Sequence, residues 1–329
     1  MSKKNKAQSL KSGSKAGQKA GSKTPHKSGT PAPVVAKATL SEWIDGARIR
    51  TLGLAVAPVI LAYAISVIEG ESSVKLTILA LIVAVALQIA VNFANDYSDG
   101  TRGTDNYRVG PQRLVGSGKA RPRTVLLVAL FFFAIAAAAG LLIVIRTHEW
   151  WLLGVGAVCI IAAWTYTGGK FPYGYYGFGE VMAFIFFGPV ILLGTEYINL
   201  GVITEAAIWA SLAMGSFAAA MLLINNARDI EPDRAAGKYT LAVLLGDTAS
   251  RIIFVILLIA PFGFIWFFWL ALPETAFTLF SLLAIGPAIL IALMAQTSKE
   301  LVLVLKLVNV GALLFALGLS YGLLKDVLF

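Results

Sequence analysis

Long apolar stretches, interrupted at short intervals by polar connections, organise this chain of 329 residues. A membrane-spanning helix needs about 20 largely apolar residues, and about nine stretches approach that length. They run near 52–68, 75–95, 124–145, 150–167, 178–198, 205–226, 252–272, 275–297 and 301–324. The pattern predicts an all-α, polytopic membrane protein. A short acidic link, Glu69 to Ser73, follows the first stretch. The second leads into a long loop with Arg102, Arg108, Arg113, Lys119, Arg121 and Arg123. Lys170 follows the fourth stretch, and Arg228, Arg234, Lys238 and Arg251 follow the sixth. The positive-inside rule places these basic loops, and with them the N-terminus, in the cytoplasm. The two longest body loops are separated by four stretches, so the chain enters both in the same direction. The expected architecture is two parallel four-helix halves plus a ninth helix, around a central cavity open to the cytoplasmic side.

Composition agrees: 58% of residues are hydrophobic and 14% charged, against roughly 25% charged in soluble domains. The formal charge of +9 belongs to one end. Nine of the 27 basic residues are lysines that precede the first acid, Glu42, and the rest match the 18 acids one for one. No structured basic face remains for nucleic acid, so no nucleic-acid partner is expected. Residues 1–39, rich in Lys, Ser and Gly, bury too little apolar surface to order themselves. They read as a disordered cytoplasmic tail suited to the anionic headgroups of membrane lipid. Residues 40–329 form the transmembrane domain. The single cysteine, Cys159, lies in an apolar run without a disulfide or zinc partner.

Polar residues at the ends of apolar stretches carry the candidate chemistry. Asn92, Asp96 and Asp99 fall at i, i+4 and i+7, one face of a helix, with Asp105 shortly after. Asn225, Asn226, Asp229 and Asp233 repeat the arrangement after the sixth stretch. Carboxylates near a membrane are expensive unless paired or bound to a cation. The two histidines, His26 and His148, are remote in sequence. An all-oxygen donor set suits a hard cation, and Mg²⁺ commonly joins one or two carboxylates to substrate phosphates. For either cluster alone, a capped helix end with a solvated loop is the plain alternative. A third motif, Tyr166-Thr-Gly-Gly-Lys170, places glycines beside a cation. It reads as a phosphate contact or as an interfacial aromatic belt.

Together these motifs resemble the UbiA superfamily of intramembrane prenyltransferases. Asn95, Asp96 and Asp99 match its N-D-x-x-D opening, with Gly103 at the next family position and the acid displaced to Asp105. Asp229 and Asp233 match D-x-x-x-D, and Tyr166 and Lys170 match Y-x-x-x-K. Arg48-Ile-Arg50 resembles the family's R-x-R entry. The displaced Asp105 and the strings Gly110–Gly118 and Asn225–Lys238 resemble the branch acting on 1,4-dihydroxy-2-naphthoate. Pro232 departs from a continuous helix through the second motif.

The resemblance implies that Asp96, Asp99, Asp229 and Asp233 hold Mg²⁺, with Tyr166 and Lys170 also catalytic. Lys170, Arg228, Lys119, Arg48, Asn92 and Asn226 would bind the diphosphate. A polyprenyl diphosphate would prenylate 1,4-dihydroxy-2-naphthoate, with loss of CO₂ and diphosphate, in a bacterial plasma membrane. A sister acceptor such as 4-hydroxybenzoate or homogentisate is the first alternative, and an ion transporter the second. No residue stands out as a general base.

Overall fold

The computed structural model describes residues 37–107 and 113–328, and every regular element among them is helical. Seven helices are long and apolar enough to cross a membrane, and two further apolar helices are shorter. Together they occupy the nine stretches expected from hydropathy. Of the string Gly110–Gly118, residues 110–112 lie outside the described residues, as does Arg108.

A short helix, α1 (Leu40–Ala47), opens the described chain with a Thr39–Glu42 capping box. α2 (Gly53–Ile68) and α3 (Val74–Arg102) follow. α3 ends on Gly103 at φ 78, a left-handed cap that glycine adopts without strain. α4 (Pro122–Thr147) starts on a proline, whose missing N–H costs nothing in a first turn. α5 (Leu152–Thr165) is 14 residues long and has no buried residue, so it forms a thin wall.

α6 (Gly179–Ile185) and α7 (Ile191–Leu200) form one span through a π-helical turn, Phe186–Val190. Pro189 lies in that turn and supplies no N–H to the regular ladder. α8 (Glu205–Arg228) is the most buried span. Its small residues permit this: a Cβ on Gly215 would sit 2.6 Å from the Phe184 carbonyl oxygen. α8 stops at Arg228, and α9 (Ile230–Ala235) restarts with Pro232 in its first turn. The Asp233 N–H still donates to the Asp229 carbonyl at 2.8 Å, so the two acids stay one turn apart across the break.

After α10 (Leu241–Leu245), α11 (Asp247–Phe264) and α12 (Trp266–Ala271) make the next span. The span after that begins as a 3₁₀ helix, Pro273–Ser281, before α13 (Leu282–Met294). There Thr275, Thr278 and Ser281 each donate a hydroxyl to a carbonyl three residues back, a local competitor of α-helical pairing. α14 (Ser298–Leu328) completes the chain.

Two apolar cores position the site. The larger is built mainly from α2, α8, α11, α13 and α14. A smaller one joins α3 to α4 through Phe93, Val125 and Phe133. A cavity of about 600 Å³ lies among α3, α4, α5, the α6–α7 span and α8, with the start of α2. After Lys238 only Leu305 of α14 contributes to its wall. The cavity is therefore walled chiefly by α3 to α8, with the start of α2.

Candidate active site

The cavity carries its charged residues at one end. Ala80 and Asp99 both line it on α3, and their separation corresponds to roughly 28 Å of helix rise. That is close to the bilayer's hydrocarbon thickness of about 30 Å. Charged lining residues gather where α3 and α8 end: Arg48, Asp99, Arg113, Asp229 and Lys238. The C-terminal ends of the two motif helices thus meet, as their equal direction in the sequence predicts.

Arg48 occupies the corner between α1 and α2 at φ 55, ψ 44, a left-handed conformation unfavourable for a side-chain-bearing residue. Two α3 amides fix this corner. Gln88 donates to the Thr51 carbonyl at 3.1 Å, and Asn92 to the Ala47 carbonyl at 3.0 Å. Backbone strain held by surrounding bonds is typical of functional positions. Burial, with Arg113 and Arg228 nearby, pushes the Arg48 guanidinium down to about 10. A bound anion would relieve both effects.

The first aspartate cluster divides. Asp99 accepts from Arg113 at 2.6 Å and from the Tyr175 hydroxyl at 2.7 Å. Arg113 also reaches the Asn95 carbonyl at 2.9 Å and Asp105 at 3.4 Å. Against the cost of burial, Asp99, Asp105 and Asp96 hold its guanidinium above the ordinary arginine value. Asp96 instead accepts the backbone N–H groups of Leu114 and Val115 at 2.9 and 3.0 Å. Within the shared face the contacts differ: Asn92, Asn95 and Asp99 line the cavity, while the Asp96 side chain meets the loop. Three residues advance a helix by about 300°, leaving Asp96 and Asp99 roughly 60° apart.

In the second cluster Arg228 grips Asp229 with two hydrogen bonds, at 2.9 and 2.5 Å. Lys238 lies 3.5 Å from Asp233, and Asn226 donates to Glu180 at 2.8 Å. Burial raises the Asp233 carboxyl above the usual aspartate value; Lys238 opposes this, and Asp229 and Asp99 add smaller repulsions. The ring of Tyr175 lies 5.6 Å from the Lys238 ammonium and 5.3 Å from the Arg102 guanidinium.

A small pocket joins the clusters, lined by Asp99, Thr104, Asp105, Asp229, Pro232, Asp233 and Lys238. Four carboxylates thus surround one space. Asp233 Oδ2 is buried without a hydrogen bond. These oxygens fit a hard cation such as Mg²⁺. Among the described residues no three acids, histidines or cysteines already stand as a chelating group. Arg113, Arg228 and Lys238 instead neutralise them.

Other expected residues separate. Tyr166 lines the cavity and packs against Tyr173 at 5.5 Å. Arg102 holds the following loop by donating to the Thr167 and Gly169 carbonyls. Lys170 is exposed and lies outside the cavity wall. Lys119 is ion-paired with Glu42 and ties α1 to the loop before α4. Both lysines are drawn off by their loops, and Arg113 and Lys238 hold the corresponding places beside the acids. In the sequence those two stand only as loop cations and as members of longer strings. Gln88 has a plain signal, an amide inside an apolar span one turn before Asn92. Tyr175 has none beyond its aromatic neighbours.

Residues 55–303 match the UbiA prenyltransferase family. The chain is 42% identical over 290 residues to the 1,4-dihydroxy-2-naphthoate octaprenyltransferase of Mycobacterium tuberculosis, covering 87% of this chain and 98% of that one. The Escherichia coli protein of the same name is 36% identical over 215 residues, covering 64% and 70%. Among solved structures, a UbiA homolog from Aeropyrum pernix K1 superposes with a TM-score of 0.63 at 18% identity, over 83% of this chain and 98% of that one. That likeness establishes the fold.

Proposed function

The chain belongs to the UbiA prenyltransferase family, and on that premise we propose that it prenylates 1,4-dihydroxy-2-naphthoate from an allylic polyprenyl diphosphate, releasing CO₂ and diphosphate. The observation that carries this reading is the cavity with one charged end and a long apolar remainder. A donor with a diphosphate head and a hydrocarbon tail has the same polarity. The named relatives, matched over nearly their whole length in the first case, favour this acceptor.

Asp99, Asp105, Asp229 and Asp233 would hold Mg²⁺, which supplies charge neutralisation to the departing diphosphate. Arg48, Arg113 and Lys238 bind and orient the diphosphate oxygens. Arg48 lines the cavity without an ion-pair partner among the described residues and is suited to that contact. The allylic C–O bond breaks with its electron pair leaving on the diphosphate. An electron-rich ring carbon forms the new C–C bond, and CO₂ departs as its bonding pair returns to the ring. The apolar wall keeps water from the allylic centre. The reading places the protein in a bacterial plasma membrane with its N-terminus cytoplasmic, and the lysine-rich tail on anionic lipid.

The test incubates the protein in membranes with 1,4-dihydroxy-2-naphthoate and a labelled polyprenyl diphosphate, with and without Mg²⁺. Mg²⁺-dependent prenylated quinol with CO₂ release is expected. Product from 4-hydroxybenzoate or homogentisate alone would overturn the acceptor. Metal-dependent ion flux without any product would overturn the enzyme reading.

A further inference from the structure

We propose that Asp96 is a positioning residue, a clamp for the loop that carries Arg113, and not one of the carboxylates that hold the cation. The clamp follows from geometry alone, while the role given to Arg113 rests on the prenyl-transfer reading above.

Asp96 is 3% exposed on α3. Its Oδ2 accepts the Leu114 N–H at 2.9 Å and its Oδ1 the Val115 N–H at 3.0 Å. Two successive amides converging on a carboxylate form charge-assisted bonds, the arrangement by which a backbone nest holds an anion. The loop beyond is built around this grip. Ser117 N–H donates to the Arg113 carbonyl at 3.0 Å, Gly118 N–H to Val115 at 2.9 Å, and Ala120 N–H to Leu114 at 3.0 Å. Leu114 is itself 3% exposed, packed in the core between α3 and α4. Gly100, one turn after Asp96, leaves the space into which Val115 fits: a Cβ there would lie 2.5 Å from Val115 Cγ1.

Arg113 is the residue immediately before the two clamped amides. Its position lets Nη1 meet Asp99 at 2.6 Å and the Asn95 carbonyl at 2.9 Å. Asp96 lines neither the 600 Å³ cavity nor the four-carboxylate pocket, whereas Asp99 lines both. Turning Asp96 toward a cation would leave two N–H groups unpaired beside the core. The carboxylate needed in the first motif is thus supplied by Asp99 and Asp105, and Asp96 sets where Arg113 stands.

The experiment compares the full chain with Asp96→Asn, Asp96→Glu and Asp233→Asn in detergent micelles. Hydrogen–deuterium exchange is followed across 113–120 without metal, and the Mg²⁺ needed for half-maximal turnover is measured alongside. In Asp96→Asn one amide loses its acceptor, and exchange in the segment is expected to rise at least tenfold with other regions unchanged. Its kcat/KM for the diphosphate falls at least tenfold, while its Mg²⁺ requirement stays within twofold of the parent. Asp96→Glu keeps the charge, displaces both oxygens and gives the same pattern. It carries the test if the asparagine variant does not fold. Asp233→Asn does the reverse, with unchanged exchange and a Mg²⁺ requirement raised at least tenfold. Unchanged exchange in both Asp96 variants, or a Mg²⁺ requirement raised as far as in Asp233→Asn, overturns the proposal. Should the parent form no prenylated product, the functional reading falls, and the exchange data still decide the clamp.

Discussion

The Tyr175 hydroxyl donates a 2.7 Å hydrogen bond to Asp99 Oδ1. Because the same ring lies against Lys238, one residue from a central loop touches both motif clusters. Replacement by phenylalanine removes the hydrogen bond and keeps the ring. A bond to a charged acceptor is worth about 1.5–3 kcal/mol, so Tyr175→Phe should lower kcat/KM roughly tenfold to a hundredfold. Steady-state kinetics on the purified variant checks this, and an unchanged kcat/KM would remove Tyr175 from the site.

Arg48 should prove to be a binding residue for the donor head. Arg48→Ala is expected to cost about 2–3 kcal/mol in kcat/KM for the diphosphate, with the acceptor KM little changed. Arg48→Lys should recover only part, since an ammonium cannot replace a forked guanidinium. Gln88→Leu frees the Thr51 carbonyl and should give the same defect in milder form. Equal losses for donor and acceptor would point to a folding defect instead.

Activity should fail in acid at a higher pH than an ordinary aspartate predicts. Burial raises the Asp233 carboxyl above its usual value, so the proton competes with the cation there. Protonation removes the charge that a cation needs, so the acid limb marks loss of metal as pH falls. A tenfold increase in Mg²⁺ should move that limb toward lower pH by up to about one unit, the limit for one proton competing with one ion. A limb that ignores Mg²⁺ would assign it to another group.

The deep end of the cavity should limit the length of the donor. Gly140, Gly156 and Gly194 line it, and a Cβ on any of them would meet no atom within 4 Å. Gly194 lies far along the α6–α7 span from the charged end. Gly194→Leu is expected to leave short allylic diphosphates within about twofold and to slow long ones at least tenfold. A hydrophobic pocket discriminates by about 1–3 kcal/mol per methylene. A length series of donors would show it, and a uniform effect would mean that the tail leaves the cavity sideways into lipid.

The spans and most of the acids are legible in the amino-acid sequence itself. Apolar runs of spanning length can satisfy their backbone in hydrocarbon only as helices or a closed barrel, and their length here selects helices. Asp99, Asp229 and Asp233 stand out because a carboxylate at the end of such a run needs a partner. Pro232 signals the break between α8 and α9, and it sits in the first turn of α9.

The assignment of partners is decided by tertiary structure. Asp96 and Asp99 are three positions apart and chemically alike, yet one holds a loop and the other faces the cavity. Lys119 and Lys170 look as suitable in sequence as Arg113 and Lys238, but Glu42 takes the first and solvent the second. Arg48 reaches the cavity through a left-handed corner held by Gln88 and Asn92, more than thirty residues away in the chain. Hydropathy and helical period are local and can be read from neighbours in sequence. Which charge meets which depends on distances between segments far apart in the chain, and packing alone sets those distances.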